Sequence, residues 1–184
     1  MPLRINTPPE SDFTNPLGML SDCHRRIERF LAALAFVAEQ SASTGLGEGQ
    51  SKTLDAALRY FRVSAPKHTL DEEESLFPRL RASAGAREAA ALLDSLHADH
   101  ETAEARHREV ETLAGRLLTE GRLPEEESRR LVAVLNDLRA VYRKHIRAED
   151  EELFPLAGRV LSGSELGAVG REMAGRRGIT LPRH

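Results

Sequence analysis

Apolar residues recur along most of this chain at steps of three and four, which is the spacing of one face of an α-helix. Four long stretches carry such a stripe, and segments rich in Gly, Ser or Pro separate them. Amphipathic helices bury their stripes by packing together, so the pattern predicts an all-α fold, an up-down four-helix bundle. The stripe positions are Leu17, Leu20, His24, Ile27, Leu31 and Leu34, then Leu54, Leu58 and Phe61, then Leu93, Leu96, His100, Ala103 and Val110, and finally Leu131, Leu135, Leu138 and His145.

Turn and cap residues set the predicted boundaries. Asn15 followed by Pro16 is typical of an N-cap and a first helical turn. A Ser- and Gly-rich loop is expected at 41–49, and Pro66 should bend or restart the second helix. The predicted parts are an extended N-terminal arm at 1–14, the bundle at 15–160, and a short C-terminal helix with a basic tail at 161–184.

The stripes repeat along the chain. A shift of 76 or 77 residues superposes the first two helices on the last two, so the chain resembles one helical hairpin written twice. Two such hairpins would pack around a pseudo-two-fold axis, and that axis would bring four histidines and two glutamates towards one point. The equivalent pairs are His24 and His100, His68 and His145, and Glu72 and Glu149.

Two segments carry the clearest candidate chemistry. Each has the order His-x-x-x-Glu followed by further acids and Leu-Phe-Pro, and they begin at His68 and His145. A four-residue step on a helix places the imidazole and the carboxylate on nearly the same face, so each segment is half of a metal site. His24 and His100 stand where the stripe favours Leu. A lone histidine there would more often bond a backbone carbonyl, but four at duplicated positions favour a shared metal site.

The donor types limit the choice of metal. Imidazole and carboxylate suit iron, manganese or zinc, and the single cysteine, Cys23, excludes a cysteine-rich zinc cage. Two glutamates that bridge two ions would leave two histidines for each ion and at least one open position. The expected partners are therefore small ligands such as O2, NO or peroxide.

Other acids and histidines near the motifs have less certain roles. Glu28 and Glu104 each lie four residues after a stripe histidine, and each could be an extra ligand, an acceptor for a ligand imidazole or a solvated acid. Glu104 is the stronger candidate for a metal ligand. His97 and His107 are expected not to be ligands, although His107 remains an alternative ligand or gate, and Cys23 is expected to be a packed residue. The acids Glu73, Glu74, Glu151 and Glu152 are expected to form a solvated face.

Composition narrows the class of protein. The net charge of −3 gives no broad attraction to nucleic acid, and Met1 to Phe13 lacks the apolar core of a signal peptide. No apolar run approaches the roughly 20 residues of a membrane span. One cysteine allows no internal disulfide, which favours a reducing compartment. The chain is thus expected to be cytoplasmic, without a nucleic-acid or membrane partner, and its protein partners stay open.

The order of the histidine motifs resembles the hemerythrin family, in particular the bacterial HHE cation-binding domains, over roughly residues 15–160. The resemblance rests on Cys23-His24-Arg25-Arg26-Ile27, on Asp99-His100-Glu101 and on the two His-x-x-x-Glu motifs. It implies a non-haem centre of two oxo- or hydroxo-bridged iron ions in a four-helix bundle. The residues implied as terminal ligands are His24, His68, His100 and His145, and those implied as bridges are Glu72 and Glu149.

The chain departs from the oxygen-carrying hemerythrins, which have a histidine where this chain has Glu104. Asp150 stands at the family's aspartate position, but Glu149 fits the internal repeat better. A ligand set richer in carboxylates should favour ferric iron and disfavour a stable O2 complex. Three functions stay open: a di-iron protein that binds or senses O2, NO or iron; a di-iron enzyme acting on peroxide or NO; and an interaction bundle with structural metal or none.

Overall fold

A computed structural model describes residues 10–181 of the chain. Within this range every regular element is helical. The π-helical segments π1 and π2 are continuous with the α-helices on either side. The elements are α1 (Pro16–Thr44), α2 (Glu48–Val63), α3 (Ala65–Leu70), π1 (Asp71–Leu76), α4 (Phe77–Ala82), α5 (Ala86–Glu120), α6 (Glu125–Ala148), π2 (Glu149–Leu153), α7 (Phe154–Val160) and α8 (Gly163–Arg176).

The elements form the predicted four-helix bundle with a short C-terminal helix. Helix α1 packs on α2 and α6, and α5 packs on the same two helices, so the four long helices close a ring. The first helix is capped as expected, because the Asn15 side chain accepts a hydrogen bond from the Gly18 amide at 3.2 Å. Pro66 interrupts the second helix as predicted, since α2 ends at Val63 and α3 begins at Ala65. An extended arm was predicted for residues 1–14. Residues 1–9 of this range lie outside the described residues.

One boundary prediction is wrong. The loop expected at 41–49 begins later, because α1 continues to Thr44. Ser41 is buried inside the helix, and its hydroxyl donates to the carbonyl oxygen of Val37 at 2.7 Å. This local bond satisfies a buried hydroxyl without ending the helix. The chain leaves the helix at Gly45, whose positive φ of 76° suits a residue without a Cβ.

The core consists of two apolar clusters along the bundle axis. One contains Ile27 and Leu31 of α1 together with residues of α2, α5 and α6. The other contains Leu20, about two turns before Ile27 on α1, and extends to Met173 of α8. His24 lies between Leu20 and Ile27 on the same stripe, so the histidine layer separates the two clusters. In the described part of the chain, no helix combines the length and the apolar character needed to cross a bilayer.

Candidate metal centre

The two π-helical segments begin beside the two motif glutamates. The amide of Phe77 donates to the carbonyl oxygen of Glu72, five residues earlier, and Phe154 does the same to Glu149. Each phenylalanine precedes a proline, which has no amide hydrogen and whose ring would clash with the carbonyl four residues before it in an α-helix. A wider turn relieves this clash. The Leu-Phe-Pro sequence thus explains why the helix forms a wider π-helical turn beside the glutamate in each hairpin.

The structure brings six of the predicted side chains together. They form two groups of four, and within each group the donor atoms lie within 4.8 Å of one another. Both groups contain Glu72 and Glu149, so the two carboxylates are shared. One group adds His24 and His68, and the other adds His100 and His145.

Each carboxylate faces histidines of both groups. Glu72 points one oxygen at His68 Nε2, at 3.2 Å, and the other at His100 Nε2, also at 3.2 Å. Oε2 of Glu149 lies 3.0 Å from His24 Nε2 and 3.1 Å from His145 Nε2. The geometry therefore matches two adjacent ion positions with carboxylates between them.

The cluster is buried, and its inward atoms are not satisfied by well-directed hydrogen bonds. Glu72 and Glu149 are 0% exposed. Imidazole nitrogens lie 3.0–3.2 Å away, but neither carboxylate accepts a well-directed hydrogen bond from any residue in the range 10–181, and Nε2 of His24 and His100 likewise lacks one. Buried polar atoms are almost always satisfied, and a buried carboxylate without a partner costs several kcal/mol. Cations would satisfy these inward atoms, so the residues present fit a metal pair.

The comparison with known families agrees with this geometry. Residues 15–157 match the hemerythrin HHE cation binding domain. The chain belongs to the hemerythrin HHE family. A similar protein from Haemophilus influenzae, described as uncharacterized, is 26% identical over 167 residues, which cover 91% of this chain and 92% of that protein.

Charge is distributed unevenly over this HHE cluster. Burial acts to lower the pKa of His24 and His100, but neighbouring carboxylates outweigh it, so the pKa of His24 is well above its ordinary value and that of His100 rises to about 9. Burial lowers the pKa of His68 to about 4, which keeps this imidazole neutral. Burial acts to raise the pKa of Glu72 and Glu149, but facing histidines hold both below their ordinary values. Without metal, the carboxylates therefore retain protons on some of the imidazoles that a cation would need.

Two further carboxylates orient the histidines across the hairpins. Asp150, next to Glu149, lies 3.0 Å from Nδ1 of His24. Glu73, next to Glu72, lies 2.7 Å from Nδ1 of His100. Asp150 of the second hairpin therefore holds His24 of the first, and Glu73 of the first hairpin holds His100 of the second. Such partners fix the ring orientation and tautomer of metal-binding histidines.

The internal repeat extends to the groups behind these carboxylates. Ser21 donates to Asp150 at 2.8 Å, and His97 lies 3.0 Å from Glu73. A shift of 76 residues relates Ser21 to His97. His97 thus lies outside the cluster, as expected, but contacts the residue that orients His100. The expectation that Glu73 belongs to a solvated face is wrong, because its oxygen is held between two imidazoles.

Two candidate acids are not brought to the cluster. The side chain of Glu104 is 73% exposed and forms an ion pair with Arg108 at the wall of a cavity beside His100, so the structure does not bring this candidate ligand to the cluster. The four-residue step from His100 keeps Glu104 on a similar face but moves it about 6 Å along the axis of α5, away from the level of the cluster. Glu28 is also exposed.

Cys23 is buried, and its sulfur accepts a hydrogen bond from Arg26 at 3.1 Å, which fits a packed residue.

An ion-pair clamp beside the cluster was not anticipated. Asp71, adjacent to Glu72, is 0% exposed and is held by Arg176 at 3.0 Å and by Arg177 at 2.7 Å. Both arginines belong to the end of α8, where the sequence suggested only a basic tail. A pairing between residues more than 100 positions apart leaves no periodic signal in the sequence. The clamp ties the C-terminal helix to π1.

Proposed function

We propose that this HHE protein is a non-haem di-iron protein whose metal pair binds a small ligand such as O2 or NO. The observation that carries the proposal is the division of one buried cluster into two groups that share Glu72 and Glu149. In this proposal His24 and His68 would hold one ion, His100 and His145 would hold the other, and the shared carboxylates of Glu72 and Glu149 would serve both.

The donor count leaves room for a ligand. Two imidazoles and two shared carboxylates give each ion four protein donors, whereas octahedral ions take six. A bound metal pair would supply open coordination positions and electrons for small oxygen- or nitrogen-containing ligands. The protein's part is to hold the imidazoles in place through Asp150 and Glu73 and to exclude water with the apolar clusters on both sides.

Iron rather than manganese or zinc is proposed because the resemblance of the histidine motifs to the hemerythrin family implies it and the donor types suit it. Manganese and zinc are compatible with the same mixed imidazole and carboxylate set. A sensing role would use the same ligand-binding step, with a protein partner reading the change.

The even division of the donors favours a second candidate, an enzyme that turns over peroxide or NO. Both proposed ions have two histidines and the same two carboxylates, so open positions exist on both. One substrate could then contact both ions at once. A pair with unequal coordination would instead direct a ligand to one ion.

The experiment measures iron per chain and then adds O2, NO and peroxide in turn to the reduced protein. About two irons per chain and a reversible optical change with O2 or NO support the binding function, while rapid peroxide loss supports the enzyme. Glu72→Gln should lose iron, and Glu104→Gln is the matched control because Glu104 is exposed. Equal iron in both variants would contradict the site. The predicted cytoplasmic location and the absence of a nucleic-acid partner stay predictions.

A further inference from the structure

A cavity of about 890 Å³ opens between α2, α3 and α5 and reaches the exposed edge of His100. Its walls are mostly apolar, with Leu58, Phe61 and Val110 among them. Pockets for organic ligands typically measure about 300–1,000 Å³ and are lined in this way. A water molecule occupies only about 30 Å³ in the liquid, so the cavity far exceeds what a diatomic ligand needs.

A neutral polar pair lies in this apolar wall. Nε2 of His107 is 3.0 Å from the hydroxyl oxygen of Tyr142, and the imidazole packs against Phe61 with ring centroids 4.6 Å apart. Burial lowers the pKa of His107 to about 4 and raises the pKa of Tyr142, so both groups are uncharged at neutral pH. The Tyr142 ring also meets the edge of His145, at 6.4 Å between centroids. The pair therefore stands between the cavity and the metal cluster.

The internal repeat does not account for this pair. The shifts that superpose the cluster residues relate His107 to Leu31 and Tyr142 to Ala65. Leu31 is a core residue, 2% exposed, and Ala65 lines the same cavity as Tyr142. The polar pair thus exists in one hairpin alone, and the small side chain at position 65 leaves space that a tyrosine would fill. Symmetric metal binding requires neither feature.

The charged side chains at the cavity wall have partners within the wall. Arg62 forms an ion pair with Glu111, and Arg108 with Glu104. The acids Glu73 and Glu101 both lie within ion-pair distance of His97. A charged ligand would have to displace one of these pairs, whereas a neutral one would not. The wall chemistry therefore selects against phosphates and carboxylates.

We propose that this cavity binds a neutral aromatic molecule of one or two rings whose hydroxyl or carbonyl group hydrogen-bonds to the Tyr142–His107 pair. Its rings lie against the apolar wall, and its polar end lies at the Tyr142–His107 pair, near His100. This site goes beyond the proposed binding of small ligands by the metals, and it holds whichever of those ligands is physiological.

The test uses 2-naphthol as the probe and the full chain purified with its metals, with binding measured by isothermal titration calorimetry. Wild type should bind one probe per chain. Ala65→Tyr should abolish binding, because it places the counterpart side chain in the cavity. Tyr142→Phe should weaken binding roughly three- to tenfold, since it removes one hydrogen bond and keeps the ring. Tyr60→Phe is the matched control, because Tyr60 stacks on Phe30 and lies outside the described cavity lining.

Absence of saturable binding to wild type would overturn the proposal. So would equal affinity in wild type, Ala65→Tyr and Tyr142→Phe, or a loss in Tyr60→Phe as large as in Tyr142→Phe. If Ala65→Tyr fails to fold, Tyr142→Phe decides alone. Iron per chain is measured for every protein, so that a wild type with two irons and no probe binding rejects the cavity site and leaves the metal proposal standing.

Discussion

At the scale of single residues, His24 and His100 depend on carboxylates from the opposite hairpin. Asp150 and Glu73 hold their outward nitrogens, which leaves the inward nitrogens aimed at the cluster. The four histidines and two glutamates could be predicted from the sequence because duplication singles them out. Glu73 was misassigned because it lies in π1, and a wider turn shifts the angular position of every later residue away from a fixed helical period.

Removing either orienting carboxylate should weaken metal binding. Asp150→Ala and Glu73→Ala are each expected to lower the affinity for iron by roughly 10- to 100-fold, because an unanchored imidazole loses its orientation. Competition with a coloured chelator measures the change. Glu151→Ala is the control, since Glu151 is exposed and pairs with Arg147. Equal affinity in all three variants would contradict the role given to these carboxylates.

Metal uptake should release protons. The pKa of His100 is about 9 in the metal-free cluster and that of His24 is also raised, so both imidazoles carry protons at pH 7 that a cation must displace. The affinity for Fe2+ should therefore rise with pH from pH 6 to about pH 9, the range in which His100 loses its proton. Anaerobic titration with an indicator dye measures the release. Iron affinity that does not change between pH 6 and pH 8 would contradict the assigned protonation.

At the scale of elements, α8 is fastened to the segment that carries Glu72. Its Arg176 and Arg177 pair with the buried Asp71, and its Met173 enters the core. The sequence predicted this helix because its Ser162 cap and apolar positions are local features. The sequence could not predict that α8 packs on π1, since several arginines and many acids along the chain could have formed the ion pairs.

Breaking the clamp should destabilise the fold. Arg177→Met leaves the buried Asp71 with Arg176 alone and should lower the free energy of unfolding by about 2–3 kcal/mol, because a buried charge loses a partner. Urea denaturation of the metal-loaded protein measures the loss. Arg171→Met, at an exposed position of α8, should change little. A similar small change in both variants would show that the clamp does not contribute to stability.

At the scale of the whole molecule, the His/Glu cluster separates the two apolar clusters and joins both hairpins. Its side chains come from α1, from α3 and π1, from α5, and from α6 and π2, so bound ions should stabilise the bundle as a unit. The number and order of helices followed from the sequence, because the stripes and caps are strong and local. The cavity beside His100 could not be predicted from the sequence, because its empty space depends on side chains from several helices.

Chelation should lower the thermal stability of the protein. A ligand at 100 times its dissociation constant adds about 2.7 kcal/mol to the stability of the state that binds it, and removing it forfeits this amount. The melting temperature should fall after treatment with a chelator and recover when iron is restored. An unchanged melting temperature would favour the interaction bundle that needs no metal for its stability.

The most direct test of the central claim is anomalous diffraction at the iron edge from crystals of the iron-loaded protein. The account predicts two peaks inside the bundle, one between His24 and His68 and one between His100 and His145, each within coordination distance of its imidazole nitrogens. Glu72 and Glu149 should contact both peaks. One ion only, or ions bound elsewhere on the protein, would contradict it.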